Sequence, residues 1–364
     1  MDHLKNPYRG KGLPESRDLA RGTVVANPAD ARSLYALCPA AAVTPLVSID
    51  DLTSELGVGS LHVKDERDRM GLGSFKALGA AHAIAADAAD RLGSATSATS
   101  EEDIARALED RVYVCASAGN HGLSVAAGAR VFGARSIVYL SETVPEAFER
   151  RLVDRGAEVV RWGETYEESM EAAATDAAAN GWTLLSDSSW PGYVDIPSRV
   201  MEGYLIMADE IGSEIAEPPT HVFLQAGVGG LAASMAAAMR RMWGDDPIIC
   251  VVEPSVAPAL LESVRAGHPV VAPGPSSIMG RLDCKEPSHL ALAELAKGAD
   301  WFVTITDDEA RETVDLLDRH GIETTPSGAA GVAGLQHLGP LRQQMGVSST
   351  SRVLAFVTEG PEHG

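Results

Sequence analysis

Apolar positions along this chain follow two rhythms, and from residue 112 onward the rhythms alternate. Short, nearly continuous apolar runs at 112–116, 136–140, 158–162, 222–225, 248–252 and 353–357 predict strands buried on both faces, because a half-exposed strand would alternate apolar with polar. Between them, Ala-rich stretches with helical spacing at 122–132, 145–155, 166–180, 199–211 and 231–243 predict helices. Upstream, a short strand is predicted at 61–64, and a helix runs from Ser74, a residue able to cap it, to about Ala89. Residues 1–40 are Pro-rich and predict irregular chain, and the polar segment 94–102 predicts a surface loop. Strand–helix alternation of this kind gives an α/β fold with mainly parallel sheets and helices on both faces. Two lobes are expected: a large one from residues 1–94 and 196–364, and a small one, 95–195, inserted into it.

Composition narrows the class. With 364 residues and 45% apolar content the chain can build real cores. A formal charge of -21 argues against nucleic acid and anionic membrane surfaces as partners, since both would repel it. No apolar run approaches about eighteen residues, and Met1-Asp2-His3-Leu4-Lys5 does not open a leader, so a cytoplasmic protein is expected. Cys38, Cys115, Cys250 and Cys284 stand far apart, which indicates neither a disulfide framework nor a metal site. Lysine occurs only at positions 5, 11, 64, 76, 285 and 297, so each one can be questioned separately.

Most lysines are solvated surface groups. Lys76 differs in lying within Ser74-Phe75-Lys76-Ala77-Leu78, among apolar neighbours at a helix start, where positive charge is disfavoured. Such surroundings lower an amine's pKa and suit a Schiff-base lysine. A second segment, Ser117-Ala118-Gly119-Asn120-His121-Gly122, joins a strand to a helix and offers backbone N–H groups to an anion such as a carboxylate. Asn120 could hydrogen-bond a phenolic or carbonyl oxygen, or merely shape the turn; His121 is more ordinary as a turn residue. A third, Gln225-Ala226-Gly227-Val228-Gly229-Gly230-Leu231, is a glycine loop through which backbone could approach a phosphate. Asp187, in Ser186-Asp187-Ser188-Ser189-Trp190, could transfer protons if Trp190 shields it and raises its pKa; its plainer role is a turn or helix cap. Thr358 follows the last strand, where its hydroxyl could meet a ring nitrogen.

Taken together, these segments resemble the fold-type II pyridoxal-phosphate enzymes, the group of threonine dehydratase and the tryptophan synthase β-subunit, and within it the diaminopropionate ammonia-lyases. The likeness extends from about Thr44 to Gly360. It is carried by Thr44-Pro45-Leu46, Ser74-Phe75-Lys76, Gly119-Asn120-His121-Gly122, Asp187 with Trp190 and Tyr193, Met201-Glu202-Gly203-Tyr204, Gln225 to Gly229, Ser277-Ile278-Met279, and Thr358-Glu359-Gly360. The resemblance implies pyridoxal 5'-phosphate held covalently by Lys76, its phosphate at Gly227, Val228, Gly229, Gly230 and Leu231, its phenolic oxygen at Asn120 and its pyridine nitrogen at Thr358. It implies a small amino-acid substrate held at Ser117, Ala118, Gly119 and His121, Asp187 acting on that substrate, a homodimer, and α,β-elimination. Two departures stand out. Lyases of this family can carry an Asp before Gly-Asn-His-Gly, where this chain has Ala118, a string more like threonine dehydratase. Pro326 stands where an acidic residue often precedes Ser-Gly.

The resulting expectation is elimination of ammonia from 2,3-diaminopropionate, with the L-isomer favoured and pyruvate formed. Alternatives are a serine/threonine dehydratase or a β-replacement synthase of the same fold. More distant is an NAD-dependent oxidoreductase, because Gly227-Val228-Gly229-Gly230-Leu231-Ala232 fits G-x-G-x-x-A and Glu253 ends the next strand.

Overall fold

The continuous apolar runs become central strands. In the computed structural model, which describes residues 1–14, 19–20, 22–93 and 99–361, one sheet has the order β1-β10-β9-β8-β11-β3-β2. Its strands are β1 (His3–Lys5), β2 (Leu46–Ser48), β3 (Ser60–Asp65), β8 (His221–Gln225), β9 (Ile248–Pro254), β10 (Trp301–Ile305) and β11 (Arg352–Val357). The five inner strands run parallel, and the short β1 and β2 close the edges antiparallel. A second, wholly parallel sheet has the order β6-β5-β4-β7, from β4 (Val112–Ala116), β5 (Arg135–Leu140), β6 (Glu158–Arg161) and β7 (Thr183–Leu184). The expected class, parallel sheets between helices, holds.

Period-2 geometry sorts the side chains. In the large sheet Val222, Leu224, Ile249, Val251, Leu354 and Phe356 face one core with helix Gly230–Trp243, whereas Phe223, Cys250, Val252, Val353, Ala355 and Val357 face another with helix Pro326–Gln336. Each fully buried Val or Leu in these rows contributes about 1.5–3 kcal/mol. In the small sheet Val112, Val114, Ile137 and Tyr139 pack under helix Tyr166–Asn180, while Tyr113, Cys115, Val138 and Leu140 join the first large core. One face of the small sheet is thus continuous with the main interior. Among the described residues no helix is long and apolar enough to cross a membrane.

Several expectations need correction. Residues 1–40 are not wholly irregular: β1 pairs with β10, and Ala29–Tyr35 is helical. Ser74 does not cap the helix Lys76–Leu92; among the described residues its hydroxyl has no hydrogen-bond partner, and Phe75 holds the cap position. The predicted loop at 94–102 lies mostly outside the described residues, but Ser100 caps a helix, Glu101–Leu108, that begins within it. The helix predicted at 199–211 is two, Asp195–Gly203 and Leu205–Glu214, with Tyr204 at the junction. Gly203 is pressed so closely on helix Lys76–Leu92 that a Cβ there would lie 2.7 Å from the Cβ of His82.

A buried ionic cluster fixes the chain between β3 and Lys76. Arg69, fully buried, donates to Glu66 at 2.7 and 2.8 Å, to Glu210 at 2.7 and 2.8 Å and to Thr44 Oγ1 at 2.7 Å. Lys64, also fully buried, pairs with Glu210 at 2.6 Å. Two cations balance two carboxylates, so the cluster is neutral only while intact. Glu210→Ala is therefore expected to lower unfolding free energy by about 3–5 kcal/mol, measured by urea denaturation, because it strands buried positive charge.

Candidate active site

The carboxyl ends of adjacent strands converge on one place. In the large sheet β3, β11 and β8 are neighbours, and past their ends come Lys76, Thr358 and the glycine loop 226–230 in turn. In the small sheet the adjacent β4 and β7 end in the 117–121 loop and in Asp187. Parallel strands bring their carboxyl ends to one edge, which is why residues far apart in sequence meet.

Lys76 is the first residue of its helix, and its Nζ forms an ion pair and hydrogen bond with Asp187. Both side chains are about one-fifth exposed, at 20% and 21%. The lysine is held by the end of β11: Phe75 N–H donates to Thr358 O at 3.1 Å, Gly360 N–H to Gly73 O at 3.0 Å, and Ser74 bridges Glu359. Two sequence expectations are reversed here. Burial alone would depress the Lys76 ammonium, but the Asp187 carboxylate outweighs it and raises its pKa. Burial alone would raise Asp187, but Lys76, with His121 nearby, holds it well below the usual carboxylate range. Trp190 does not decide the matter; it stacks on Tyr193 at 4.3 Å.

Asn120 opens helix Asn120–Val131, and its side-chain N–H donates to Glu359 rather than standing open. That carboxylate also accepts from Thr325, and the Arg281 guanidinium lies 3.9 Å away. Reaching a ring oxygen would therefore require the second amide N–H of Asn120 or an exchange of partners. Ser117 Oγ accepts from Gly119 N–H at 3.3 Å, His121 Nε2 contacts Leu185 O at 2.8 Å, and Ala118 contributes only a methyl group. Thr358, 4% exposed, accepts from Gln225 Nε2 at 3.3 Å, which leaves its own O–H to donate. Proline at position 326 sits in the first turn of its helix, where its missing N–H costs nothing, and Thr325 caps that helix.

The glycine loop fits a phosphate. Among the described residues no protein acceptor takes the N–H groups of Gly227, Gly229, Gly230 or Leu231, while Val228 N–H meets the Cys284 sulfur. Gly229 has φ of +101° and caps helix Gly230–Trp243, and a Cβ there would lie 3.0 Å from Leu260 Cδ1. At Gly227 a Cβ would meet Cys284 Sγ at 2.9 Å. Only glycine fits both positions, and four free donors at a helix N-terminus suit a dianion. Glu253, the acid that the dinucleotide pattern would need exposed, is fully buried, and its oxygens accept from Leu260 and Leu261 N–H at 2.8 Å each. It anchors the helix that packs on Gly229.

Three groups at this site take part in its contacts although the sequence assigned them no role of their own. Glu359 and Gln225 flank residues that were singled out, and both join their hydrogen bonds. Tyr204, 1% exposed, places its ring edge against Gly79 and Gly230, and its hydroxyl has no hydrogen-bond partner among the described residues.

Comparison with known proteins agrees with this geometry. The family described as pyridoxal-phosphate dependent enzyme matches residues 37–359. Diaminopropionate ammonia-lyase of Salmonella typhimurium is 33% identical over 347 residues, 88% of this chain and 86% of the relative. The crystal structure of diaminopropionate ammonia lyase from Escherichia coli in complex with D-serine superposes with a TM-score of 0.85 at 27% identity, covering 99% of this chain and 93% of that one. The same values hold for its complex with an aminoacrylate-PLP azomethine reaction intermediate. A biosynthetic L-threonine dehydratase of Mycobacterium tuberculosis is 27% identical over 310 residues, 84% of this chain and 66% of the relative.

Two outcomes are expected. Gly229→Asp should weaken pyridoxal phosphate binding at least about tenfold, read by titration of the apoprotein, since a carboxylate would face the phosphate and the backbone would be strained. Burial, opposed by the Leu260 and Leu261 amides, pushes Glu253 up to about 8 from an ordinary 4.5. The folded chain then holds a proton that the unfolded chain has lost between those values. Its stabilising effect is full below about 4.5 and is lost as pH rises through about 8, by at most about 1.4 kcal/mol per pH unit. Glu253→Gln should flatten that slope in urea midpoints taken across the window.

Proposed function

The chain belongs to the pyridoxal-phosphate-dependent enzyme family, and we propose that it eliminates ammonia from 2,3-diaminopropionate, with pyruvate and a second ammonia as final products. The observation that carries this reading is the Lys76–Asp187 pair set between a phosphate-binding glycine loop and an amide-rich carboxylate loop. Pyridoxal phosphate bound there supplies an electron sink for the carbanion formed when the substrate loses its Cα proton.

The chain's own residues supply the rest. The loop 227–231 and the helix behind it would hold the phosphate, Thr358 O–H would donate to the pyridine nitrogen, and Lys76 would bind the cofactor covalently. Amides at 118–121 would orient the substrate carboxylate. Lys76 and Asp187 together hold one proton between two strong partners, with the ammonium form of the lysine favoured. Proton removal at Cα requires one of them to act as base. The departing amine must leave protonated, and the same pair is the nearest store of a proton. Both side chains are only about one-fifth exposed, which limits the water that can reach them.

Ala118 sets the stereochemical preference in this proposal. With the carboxylate anchored, the two enantiomers present their Cα protons to opposite faces. Asp187 and Lys76 serve one face, and a methyl group at 118 cannot accept a proton on the other. Cytoplasmic action as a homodimer completes the proposal, by likeness to the family; a monomer in light scattering would overturn the oligomeric part.

Lys76→Ala is expected to abolish the absorbance band of lysine-bound cofactor and to stop turnover; an unchanged borohydride-reducible adduct would overturn the assignment of Lys76. In an assay of pyruvate and ammonia release, L-2,3-diaminopropionate should be favoured over its D-isomer by at least about 100-fold, with Asp187→Asn removing most activity on the L-substrate. Comparable rates on both isomers would overturn the Ala118 argument. Release of 2-oxobutyrate from threonine, with no activity on either diaminopropionate, would transfer the assignment to the dehydratase reading that the Ser117-Ala118-Gly119 string favours.

A further inference from the structure

Tyr204 is a buried phenol whose hydroxyl has no hydrogen-bond partner among the described residues, at the junction of helices Asp195–Gly203 and Leu205–Glu214. Its ring is tightly placed. An added Cβ on Gly79 would lie 2.8 Å from Cε1, one on Gly230 would lie 3.7 Å from Cε2, and the Phe75 ring meets it edge-on with centroids 4.9 Å apart. Those two ring carbons flank the hydroxyl-bearing carbon, so the hydroxyl is directed between the helix that starts at Lys76 and the helix that starts at Gly230. It lies within electrostatic reach of both Lys76 and Asp187, and Lys76 Nζ lies 5.3 Å from the neighbouring Phe75 ring centroid. An interior of aliphatic groups would be better served by phenylalanine, because burying an unpaired hydroxyl costs stability.

We propose that Tyr204 is a further functional residue of this site, its hydroxyl holding the Lys76 nitrogen through the changes of protonation that elimination requires. The inference rests on Lys76 being the cofactor lysine. A carboxylate only accepts hydrogen bonds, so Asp187 grips the ammonium through its N–H groups but offers nothing to an amine lone pair. A hydroxyl can do both: it donates to the neutral amine, and it accepts from the ammonium once that nitrogen has left Asp187. Burial, only partly offset by the Lys76 charge, pushes the phenol up to about 12, so the proton it donates is present throughout the neutral range. Lys76 thereby keeps a partner while its proton is elsewhere, and its nitrogen stays aligned.

Tyr204→Phe tests this directly, since the ring that fills the space is kept and only the oxygen is removed. The apoprotein of the variant should melt at or above the temperature of the wild-type apoprotein. Its covalent capture of added pyridoxal phosphate, followed by growth of the lysine-bound cofactor band, should slow by about 10- to 100-fold, the worth of a hydrogen bond to a charged group. In the loaded enzyme kcat should fall by a similar factor with KM within about threefold of wild type. Wild-type capture rate and kcat would overturn the proposal. So would a fall in activity accompanied by a lower apoprotein melting temperature, which marks a structural role, or a loss confined to KM. If wild-type protein captures no cofactor at all, it is the assignment of Lys76 that fails, and the two failures are distinguished.

Discussion

The attraction between the Lys76 ammonium and the Asp187 carboxylate is the interaction on which the rest of the site depends. The lysine follows a strand of the large sheet and the carboxylate follows a strand of the small one, so a single ion pair ties the two sheets at the place where their carboxyl edges meet. Each partner would be disfavoured as an ion by its own burial, and each is kept charged by the other. A buried ion pair of this kind is a poor device for stability, because desolvation cancels much of the attraction. It is a good device for chemistry, since a substrate or cofactor that replaces one partner finds the other already desolvated and in place.

Around that pair the structure separates what must be rigid from what must be available. The Arg69 cluster, neutral and fully satisfied, determines how the chain leaves β3 and reaches Lys76. Glu253 does the same behind the glycine loop by anchoring the helix that packs on Gly229. In front of these supports lie groups with hydrogen-bonding capacity unused among the described residues: the amides of Gly227 and 229–231, the proton of Thr358, and the Ser74 and Tyr204 hydroxyls. The supporting layer satisfies its polar groups within itself, whereas donors are left over in the layer that carries the site.

Much of this was legible in the sequence, and the reasons are physical. Strands such as 112–116 and 353–357 were readable because a strand buried on both faces must be apolar throughout. The loops at 117–121 and 226–230 were readable because small residues between a strand and a helix have few other uses. β1 was not readable, since three residues on a sheet edge carry no period, and neither was the break at Tyr204, which arises from the approach of Gly203 to a helix over a hundred positions earlier. The protonation of Lys76 and Asp187 was misjudged for a similar reason. Each residue's local surroundings argue for the neutral form, and only the fold reveals that the two are partners.

The hydrogen bonds that tie 73–75 to 358–360 have a consequence for how the molecule is made. The strand end that seats Lys76 emerges from the ribosome about 280 residues after it. At synthesis rates of about 5–20 residues per second, the reactive amine spends many seconds in a partly folded nascent chain without its seat. Aldehydes met during that interval find no phosphate loop and no aligned lysine to retain them. With Lys76 as the proposed cofactor lysine, capture waits until residues 358–360 have been made and have paired with 73–75.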